Sequence, residues 1–292
     1  MKTKILSGRE VSKFYKNKIR ENILDLKKKG IIPGLAVVLV GDDPASKIYV
    51  NSKSRTCSKL GIFSKTLTYP NKITQVELIT VIEKLNKDKQ INGILVQMPL
   101  PSHIDEFEII NRILPEKDVD GFHPENLGKL VVGKESFVSC TPAGILAILK
   151  YYNISVEGKH VVIIGRSNIV GKPLLNLLYQ KNDFGNATVT ICHSKTKNLS
   201  KITSQADILI VAAGNPNMIT VDMIKEGSVI IDVGINRIKD ESTKKGYRIV
   251  GDVDFEGVKN RVSAITPVPG GVGPMTITML MQNTLEATLR TI

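Results

Sequence analysis

The chain has few of the residues that mark several classes of protein. Its three cysteines, Cys57, Cys140 and Cys192, are far apart and odd in number, so they suggest neither a disulfide framework nor a cysteine-based metal site. Its four histidines are scattered and form no HxxxH or HExxH pattern. Tryptophan is absent and aromatic residues make up 5% of the chain, which leaves few platforms for stacking nucleic-acid bases. We therefore expect no metal site.

Long apolar segments are also missing. No uninterrupted apolar run approaches the roughly 18 residues that a membrane-spanning helix needs. The first residues show neither the apolar core of a signal peptide nor an amphipathic leader rich in Arg and Ser. We expect no membrane partner and a cytoplasmic location.

Acidic residues are fewer than basic ones, 28 against 40, which gives a net charge of +12. The lysines are spread along predicted helices, and the longest basic run, Lys27–Lys29, lies at a helix end. This distribution favours attraction of acidic small molecules over binding of nucleic acid. A nucleic-acid-binding protein remains an alternative that clustered surface charge and a steep salt dependence would favour.

A length of 292 residues predicts two domains, each with its own core. Strands and helices alternate along the chain, which is typical of an α/β fold with parallel sheets covered by helices. The predicted strands are 34–40, 62–69, 93–97, 160–165, 187–192, 207–213, 228–234 and 248–253. The predicted helices are 7–29, 45–60, 74–86, 105–113, 141–152, 173–181, 198–205, 221–226 and 275–290. The loop at 115–124 follows the predicted helix 105–113. Thr141-Pro142 begins the helix 141–152, which we expect to connect the two domains.

The most informative segment is His160–Pro173, an apolar strand that runs into a glycine-flanked basic turn and then a helix. Free N–H groups at the start of such a helix can face an anion, so the segment predicts a cradle for the phosphates of a dinucleotide. The spacing departs from G-x-G-x-x-G, because Ser167 replaces the middle glycine and Gly171 follows Gly165 by six positions.

The next predicted strand ends in His193-Ser194-Lys195-Thr196, without a carboxylate. A free ribose 2′-hydroxyl is usually held by Asp or Glu at this place, whereas a 2′-phosphate needs cations and hydroxyl donors. Arg166, Ser194 and Lys195 supply them. The sequence therefore favours NADP over NAD, although Arg166 and Lys195 could also be ordinary surface charges.

In the first half, the helix after strand 34–40 carries Tyr49 and Lys53 at i,i+4 spacing, which puts a phenol and an ammonium group on one face. Gln97 ends another strand, and Asp120 lies in an Asp-Val-Asp-Gly loop. The carboxyl ends of parallel strands are where α/β sheets bind ligands. Taken singly, Tyr49 and Lys53 could be an ordinary surface pair, Gln97 a strand-end amide and Asp120 a turn-forming carboxylate.

Five motifs in order resemble the signatures of the bifunctional methylenetetrahydrofolate dehydrogenase/cyclohydrolase family. They are YVNSK at 49–53, VQMPLP at 96–101, PEKDVDG at 115–121, GRSNIVGKP at 165–173 and TPVPGGVGPMT at 266–276. The resemblance implies an N-terminal α/β catalytic and folate-binding domain, residues 1–140, joined by the C-terminal helix 274–292. It also implies a Rossmann-type NADP-binding domain, residues 141–273, and a homodimer made through that domain.

The resemblance further assigns roles to individual residues. Lys53 is implied as the acid–base group of the hydrolysis, with Gln97 assisting, Tyr49 lying against the folate and Asp120 holding the pterin edge. The residues implied to bind tetrahydrofolate derivatives are Ser46, Tyr49, Leu100, Pro101, Asp120, Pro269, Gly270 and Gly271. The residues implied to bind NADP are Gly165, Arg166, Ser167, Ile169, Val170, Gly171, Ser194 and Ile235.

Two other dehydrogenase hypotheses remain open. One is an enzyme of the same class without the hydrolase step, against which Lys53 and Gln97 speak. The other is an amino-acid or shikimate-type dehydrogenase, which would not require the Pro269–Gly271 loop. One segment, 179–185, is longer than the resemblance leads us to expect. We predict a surface loop there that could alter the adenine side of the cofactor site.

Overall fold

The computed structural model describes residues 2–243 and 246–292, and the chain forms two compact α/β units. Phe14–Cys140 and Ile277–Ile292 form one, called the Lys53 unit; Met1–Lys13 and Thr141–Thr276 form the other, called the Gly165 unit. The predicted α/β class with parallel sheets is confirmed. The unit boundaries differ from the expected ranges at the amino terminus, because residues 1–13 group with the Gly165 unit.

The strands have two to seven residues, and the helices range from four residues in α9 to 21 in α1. In chain order the strands are β1 (Lys4–Ile5), β2 (Gly34–Val40), β3 (Phe63–Tyr69), β4 (Gly93–Val96), β5 (His160–Ile164), β6 (Thr188–Cys192), β7 (Ile208–Val211), β8 (Val229–Asp232), β9 (Asn236–Lys239), β10 (Tyr247–Val250) and β11 (Ala264–Ile265). The helices are α1 (Gly8–Lys28), α2 (Pro44–Leu60), α3 (Gln75–Lys87), α4 (Glu106–Arg112), α5 (Pro124–Val131), α6 (Cys140–Tyr151), α7 (Gly171–Leu178), α8 (Leu199–Thr203), α9 (Phe255–Val258) and α10 (Gly273–Leu289). Within the described ranges, none of these helices has the length and apolarity needed to cross a bilayer.

The Lys53 unit is built on a parallel sheet with the strand order β3-β2-β4. β2 lies in the middle and all its residues are buried, which explains its unbroken apolar sequence. β3 alternates between exposed and half-buried residues, as expected of an edge strand. Because the strands are parallel, the carboxyl ends of β2 and β4 lie at the same edge of the sheet, close to the start of α2.

Local signals fix the ends of the helices around this sheet. α2 begins after Asp43, whose carboxylate accepts the N–H of Ser46 at 2.7 Å, and it ends at Gly61 in the left-handed conformation, with φ of 83°. α3 begins with a capping box: Thr74 Oγ1 accepts the N–H of Glu77, and the Glu77 carboxylate accepts the N–H of Thr74. The Asp43 cap fixes where α2 begins after β2, and with it the place of Lys53 in the third turn of that helix.

The Gly165 unit contains a parallel sheet with the order β1-β11-β8-β7-β5-β6. β5 has β6 on one side and β7 on the other, so the chain leaves β5 towards β6 but leaves β7 towards β8, in the opposite direction. In an α/β sheet this switch point opens a crevice at the carboxyl ends of the strands, where dinucleotides bind. The predicted phosphate cradle follows β5 and therefore lies at that crevice.

The prediction of a parallel strand at 248–253 is wrong. β10 pairs antiparallel with β9 in a separate two-stranded ribbon, from Tyr247 opposite Lys239 to Val250 opposite Asn236. The place next to β8 in the parallel sheet is taken by β11, followed by β1. These two strands have two residues each, too few to show a periodicity in the sequence.

Two helix predictions also need correction. The segment expected as a helix at 221–226 forms a single 3-10 turn, Val221–Met223. The sequence prediction leaves 124–140 without a helix, yet α5 forms there. Its signals are present, because Pro124 occupies the first turn and the His123 ring accepts the N–H of Glu125 at 3.1 Å. Histidine is an uncommon cap, which explains why the helix is not predicted.

The long segment 179–185 is a surface loop, but it does not lie at the adenine side of the cofactor site. α7 leaves the carboxyl end of β5 and returns the chain to the amino end of β6, where Ala187 donates to Leu178 and Gly158 donates to Asn186. The five residues of β6 separate this edge from Ser194 by about 15 Å. The loop therefore borders the opposite edge of the sheet from the predicted cofactor site, and that part of the expectation is wrong.

Candidate active site and cofactor-binding site

Lys53 is buried in the Lys53 unit and is hydrogen-bonded to Gln97. Its side chain is 9% exposed, and its Nζ donates to Gln97 Oε1 at 2.9 Å. Gln97 directly follows β4, and its own Nε2 donates to the carbonyl of Met98 at 2.8 Å. The amide of Gln97 is thus fixed at both ends, with its oxygen facing the ammonium group of Lys53.

The other predicted residues of α2 lie one and two turns before Lys53. Tyr49 is 45% exposed, so part of its ring is open to solvent. Ser46 is buried and lies in the first turn, next to the cap formed by Asp43. The spacing of 46, 49 and 53 puts these three side chains along one side of the helix. α2 therefore presents a hydroxyl, a phenol and an ammonium group in a row.

Asp120 is held in place by its neighbour Asp118. The Asp118 carboxylate is 1% exposed and accepts the N–H of His123 at 2.8 Å, the N–H of Phe122 at 3.2 Å and the side-chain amide of Asn126 at 2.9 Å. Asp118 also bridges to Ile94 of β4. The loop that carries Asp120 is therefore fastened to the sheet, and the sequence prediction passed over the carboxylate that does this.

The loop packs against β4 and α10 as well. A Cβ on Gly93 would come within 2.6 Å of Val119 Cγ1, so only glycine allows this approach. The side-chain amide of Asn283 in α10 donates to the carbonyls of Val119 at 2.9 Å and Val138 at 3.0 Å. The Lys53 unit thus uses the end of the chain to complete the wall beside Asp120.

Burial changes the acidity of two groups beside Lys53. Burial raises the pKa of Asp120 to about 6, with the charge of Lys53 opposing and that of Asp118 adding to the rise. Burial, and then the charge of Asp120, raises the pKa of the Cys140 thiol well above its usual range. The Asp120 carboxyl is therefore ionised at neutral pH but takes up a proton within the mildly acidic range. Such a group is typical of functional sites.

Leu100 and Pro101 are adjacent in the chain but differ in burial. Leu100 is 9% exposed and packs in the core cluster around β2 and β4, and its N–H donates to Glu106 at 3.0 Å. Pro101 is half-buried beside it. Any contact of Leu100 with a substrate would use its backbone or the edge of its side chain, because the rest of the side chain is in the core.

In the Gly165 unit, the turn after β5 is closed so tightly that glycine is required at both ends. Gly165 has a φ of 119°, and a Cβ there would lie 2.3 Å from the carbonyl oxygen of Ala212. A Cβ on Gly171 would lie 2.0 Å from the carbonyl oxygen of Gly165. Ser167 Oγ accepts the N–H of Val170 at 3.1 Å and shapes the turn. The result is a tight turn with glycine at both ends, directly before α7, which fits the phosphates of a dinucleotide.

A cavity of about 490 Å³ opens in front of this turn. Arg166 and Ser194 line it, and among the residues that the structure describes none of those lining it is acidic. A guanidinium group and a hydroxyl without a competing carboxylate fit a ribose 2′-phosphate. Of the two predicted cations, Arg166 is among the lining residues, whereas Lys195 is exposed and is not among them.

The remaining predicted residues of this unit fall into two places. Ile169 is 47% exposed in the turn, and Val170 immediately precedes α7. Ile235 is 51% exposed and lines a second cavity of about 160 Å³, together with Pro269, Gly270 and Gly271. The sequence assigned Ile235 to the cofactor and the 269–271 loop to the folate, and the structure brings them to the same cavity within one unit.

The 269–271 loop is fixed by the first turn of α1. The N–H of Arg9 donates to the carbonyl of Gly270 at 3.1 Å, and a Cβ on Gly8 would lie 1.7 Å from the carbonyl oxygen of Gly271. Arg9 also lines the 160 Å³ cavity. No sequence pattern predicts this contact, because more than 250 residues separate the two segments.

The fold and these two sites define a two-domain α/β protein of the dinucleotide-binding class, with a separate lysine–amide–carboxylate group in the other domain. Two family profiles match the chain: "Tetrahydrofolate dehydrogenase/cyclohydrolase, catalytic domain" over residues 6–120, and the NAD(P)-binding domain of the same family over residues 139–292. Together they cover most of the sequence. The chain belongs to the tetrahydrofolate dehydrogenase/cyclohydrolase family.

Individual relatives agree with this assignment. The chain is 56% identical over 286 residues to the bifunctional protein FolD of Pelodictyon phaeoclathratiforme, with 97% of each chain covered. The crystal structure of the bifunctional FolD dehydrogenase/cyclohydrolase from Campylobacter jejuni is similar at 50% identity and a TM-score of 0.94, covering 99% of this chain and 100% of that one. The FolD of Trypanosoma brucei, solved with NADP and an inhibitor, is similar at 36% identity and a TM-score of 0.94, covering 100% and 99%.

Proposed function

We propose that the protein oxidises 5,10-methylenetetrahydrofolate to 5,10-methenyltetrahydrofolate with NADP and then hydrolyses that product to 10-formyltetrahydrofolate. Membership of the family supports both steps. The observation that carries the hydrolytic step in this chain is the 2.9 Å hydrogen bond between buried Lys53 and Gln97. A dehydrogenase without the second step would have no use for this pair.

For the oxidation, the Gly165 unit holds the cofactor and orients it. The turn between Gly165 and Gly171 offers backbone N–H groups to the pyrophosphate, and Arg166 and Ser194 face the 2′-phosphate. NADP, when bound, supplies the acceptor for the hydride. The nitrogens beside the methylene carbon of the substrate delocalise the positive charge that remains, so the protein contributes mainly position and exclusion of water.

For the hydrolysis, the Lys53 unit must move protons. Water adds to the cationic methenyl carbon and loses one proton, which gives a neutral tetrahedral adduct. The proton of its hydroxyl then passes to N5 as the bond from the carbon to N5 breaks, so that the formyl group remains on N10 and one proton is released overall. Lys53 exchanges protons with the adduct, while Gln97 keeps the Lys53 amine oriented through the Nε2 bond to Met98. Tyr49 lies against the folate, and Ser46, Leu100 and Pro101 border the same place.

Asp120 binds the pterin end of the substrate and does not act on the reacting carbon. The amino-pyrimidine edge of a pterin presents two N–H donors in one plane, and a carboxylate matches such a pair. Asp120 is half-buried, so a bound pterin would shield these hydrogen bonds from water and thereby strengthen them. The family resemblance also assigns a folate contact to Pro269, Gly270 and Gly271, where the two glycines leave the backbone uncovered.

The resemblance also supports three further parts of the proposal. These are a homodimer formed through the Gly165 unit, a cytoplasmic location, and partners that are small tetrahydrofolate derivatives rather than nucleic acid or membranes. Sedimentation velocity measures the first, and fractionation of cells measures the second. Binding to random-sequence duplex DNA at low salt would count against the last.

The proposal is tested by mixing the purified protein with 5,10-methylenetetrahydrofolate and NADP or NAD in separate reactions. We expect reduced NADP and 10-formyltetrahydrofolate to accumulate, with 5,10-methenyltetrahydrofolate as the intermediate. In a second reaction, 5,10-methenyltetrahydrofolate alone should be hydrolysed faster than in buffer. Reduction of the cofactor without faster hydrolysis would reduce the function to a dehydrogenase, and the absence of both would refute it.

A further inference from the structure

Two carboxylates, Asp232 and Asp252, lie buried in the Gly165 unit, outside the residues assigned to cofactor or substrate. Asp232 ends β8 and is 3% exposed; Asp252 follows β10 and is 0% exposed. Buried carboxylates cost free energy unless hydrogen-bond donors surround them. The groups that donate hydrogen bonds to these two carboxylates therefore indicate their structural role.

Asp252 fastens two loops to each other. Its Oδ2 accepts the N–H of Ala213 at 2.7 Å and the N–H of Gly214 at 2.8 Å, directly after β7. Its Oδ1 accepts the side-chain amide of Asn236 at 2.8 Å, at the start of β9. One carboxylate thus sets the distance between the loop that follows β7 and the loop that follows β8.

Asp232 fastens a third segment to the same point. Its Oδ1 accepts the N–H of Gly234 at 2.9 Å and that of Asp252 at 3.0 Å, and its Oδ2 accepts the N–H of Val253 at 3.0 Å. Its own N–H donates to Thr266 Oγ1 at 2.8 Å, just before the 269–271 loop. The carboxylate of Asp232 is therefore what positions the backbone of Asp252.

Glycines nearby show how closely the backbone approaches these carboxylates. A Cβ on Gly251 would lie 1.8 Å from Asp232 Oδ2, and a Cβ on Gly234 would lie 2.3 Å from Asp252 Oδ1. No other residue fits at either place without moving a carboxylate. The positions of the two loops and of the two carboxylates are therefore interdependent.

The fastened loops are those that line the two cavities. Ala212, Ala213 and Asn215 line the 490 Å³ cavity in front of the phosphate cradle. Val233, Gly234 and Ile235 line the 160 Å³ cavity. One of these loops follows β7 and the other follows β8. Both lie on the side of the switch point away from β6, which is the side where the nicotinamide half of a dinucleotide lies in this type of fold.

We infer that Asp252, supported by Asp232, is a positioning residue for the nicotinamide half of the cofactor. It acts through the loops after β7 and β8 and contacts neither cofactor nor substrate itself. This inference rests on the proposed function. It predicts that the dehydrogenase depends on Asp252 and that the hydrolysis assigned to Lys53 does not.

Chemistry explains why a carboxylate is needed. All six groups that bond the two side chains are N–H donors, and an ionised carboxylate offers only acceptors. In Asp252→Asn, one oxygen becomes an NH₂ group that must face either Asn236 or the N–H groups of Ala213 and Gly214. Two facing donors repel; if the Asn236 amide turns over to offer its oxygen instead, the N–H groups of Ala213 and Gly214 still lose the charge of their acceptor, so the anchor is weakened in either arrangement.

The test compares three variants of the full chain. Asp252→Asn changes the proposed anchor, and Asn236→Ala removes one of its donors with less disturbance. Asp207→Asn is the matched control: Asp207 also accepts a backbone N–H, from His160 at 2.9 Å, but at the amino end of the same sheet. For each protein we would measure the Kd for NADPH by fluorescence titration, kcat and KM of the dehydrogenase with NADP and with NAD, the rate of methenyl hydrolysis, and the Tm.

We expect Asp252→Asn to raise the Kd for NADPH and the KM for NADP by about tenfold or more, with kcat/KM for NADP and NAD falling by the same factor. Hydrolysis should stay within about twofold of the wild type. Asn236→Ala should change the same constants in the same direction by less, and Asp207→Asn should leave them unchanged.

Unchanged cofactor constants in Asp252→Asn, or a parallel loss of hydrolysis in that variant, would overturn the inference. If Asp252→Asn does not fold, Asn236→Ala decides, and unchanged cofactor constants there would overturn it equally. Failure of the proposed function looks different: the wild type would then lack both activities. The NADPH titration would still show whether Asp252 positions the cofactor loops.

Discussion

Lys53 Nζ donates to Gln97 Oε1 at 2.9 Å, across the edge of the sheet where α2 begins and β4 ends. The two residues are 44 positions apart in the chain and come from different elements. Their meeting depends on β2 and β4 being adjacent and parallel. Because the other end of the Gln97 amide is held by the Met98 carbonyl, this hydrogen bond gives the Lys53 amine one preferred direction.

Lys53→Met should abolish methenyl hydrolysis while the chain stays folded. Methionine has a similar length and fills the same buried space, but it cannot exchange a proton. Loss of an acid–base group should lower the rate by at least about a hundredfold. The dehydrogenase should remain measurable, because hydride transfer needs little proton transfer. Stopped-flow absorbance of the methenyl form measures the first rate, and reduced NADP the second.

Lys59→Met is the matched control for this experiment. Lys59 lies in the last turn of the same helix and is exposed, so the same substitution should leave both rates within about twofold, as surface changes usually do. Full hydrolase activity in Lys53→Met, with an unchanged Tm, would remove Lys53 from the mechanism.

Arg166→Ala should separate NADP from NAD. Arg166 lines the cavity in which Ser194 also lies, and no acidic residue of the described lining faces it. Loss of a charge-assisted hydrogen bond to a phosphate should raise the KM for NADP by about 10- to 100-fold, and the KM for NAD by no more than about threefold. Steady-state kinetics with each cofactor measures this. An equal effect on both cofactors, or a larger effect from Lys195→Ala, would contradict the 2′-phosphate contact.

Much of the parallel architecture could be predicted because its signals are local. β2 has the predicted bounds, since an unbroken apolar run between Pro33 and Gly41 suits only a buried strand. α2 and α3 begin and end close to their predicted positions, because Asp43, Thr74 and Gly61 act on neighbouring residues. The antiparallel pairing of β9 with β10 and the two-residue strands β1 and β11 could not be predicted, because tertiary contacts decide them.

The candidate site, like the fold, could be predicted only in part from the sequence. The sequence motifs pointed to Lys53 and Gln97, which the structure joins by a hydrogen bond, and to Asp120. They did not distinguish Asp118, Asp232 or Asp252 from surface carboxylates. Each of these carboxylates accepts hydrogen bonds from N–H groups that folding brings to it, up to 39 residues away along the chain in the case of Ala213 and Asp252. Burial of a polar group is a property of the folded chain, which residue type alone does not reveal.

Substrate binding should weaken below pH 6. The pKa of Asp120 is raised to about 6 by burial, so its carboxylate is present above that pH and is replaced by the neutral acid as the pH falls through it. The neutral acid accepts fewer hydrogen bonds from the pterin edge. The KM for 5,10-methylenetetrahydrofolate should therefore rise by about tenfold for each pH unit below 6. Initial rates between pH 5 and 8 measure it.

Asp120→Asn provides the comparison for this pH dependence. An amide does not titrate, so the KM of the variant should be high and nearly constant over the same range. A wild-type KM that stays flat down to pH 5, or a variant that keeps the rise, would assign the effect to another group.

The loop at 179–185 should contribute to stability and not to cofactor binding. Lys150 Nζ lies 3.5 Å from the centre of the Phe184 ring, which ties the loop to the end of α6, at the sheet edge away from Ser194. Phe184→Ala should lower the free energy of unfolding by about 1 to 2 kcal/mol, from lost apolar contact and the cation–π interaction. Phe184→Leu keeps the apolar contact and should lose less. Urea unfolding measures both variants, and the KM for NADP should not change in either; a raised KM would return this loop to the rim of the cofactor site.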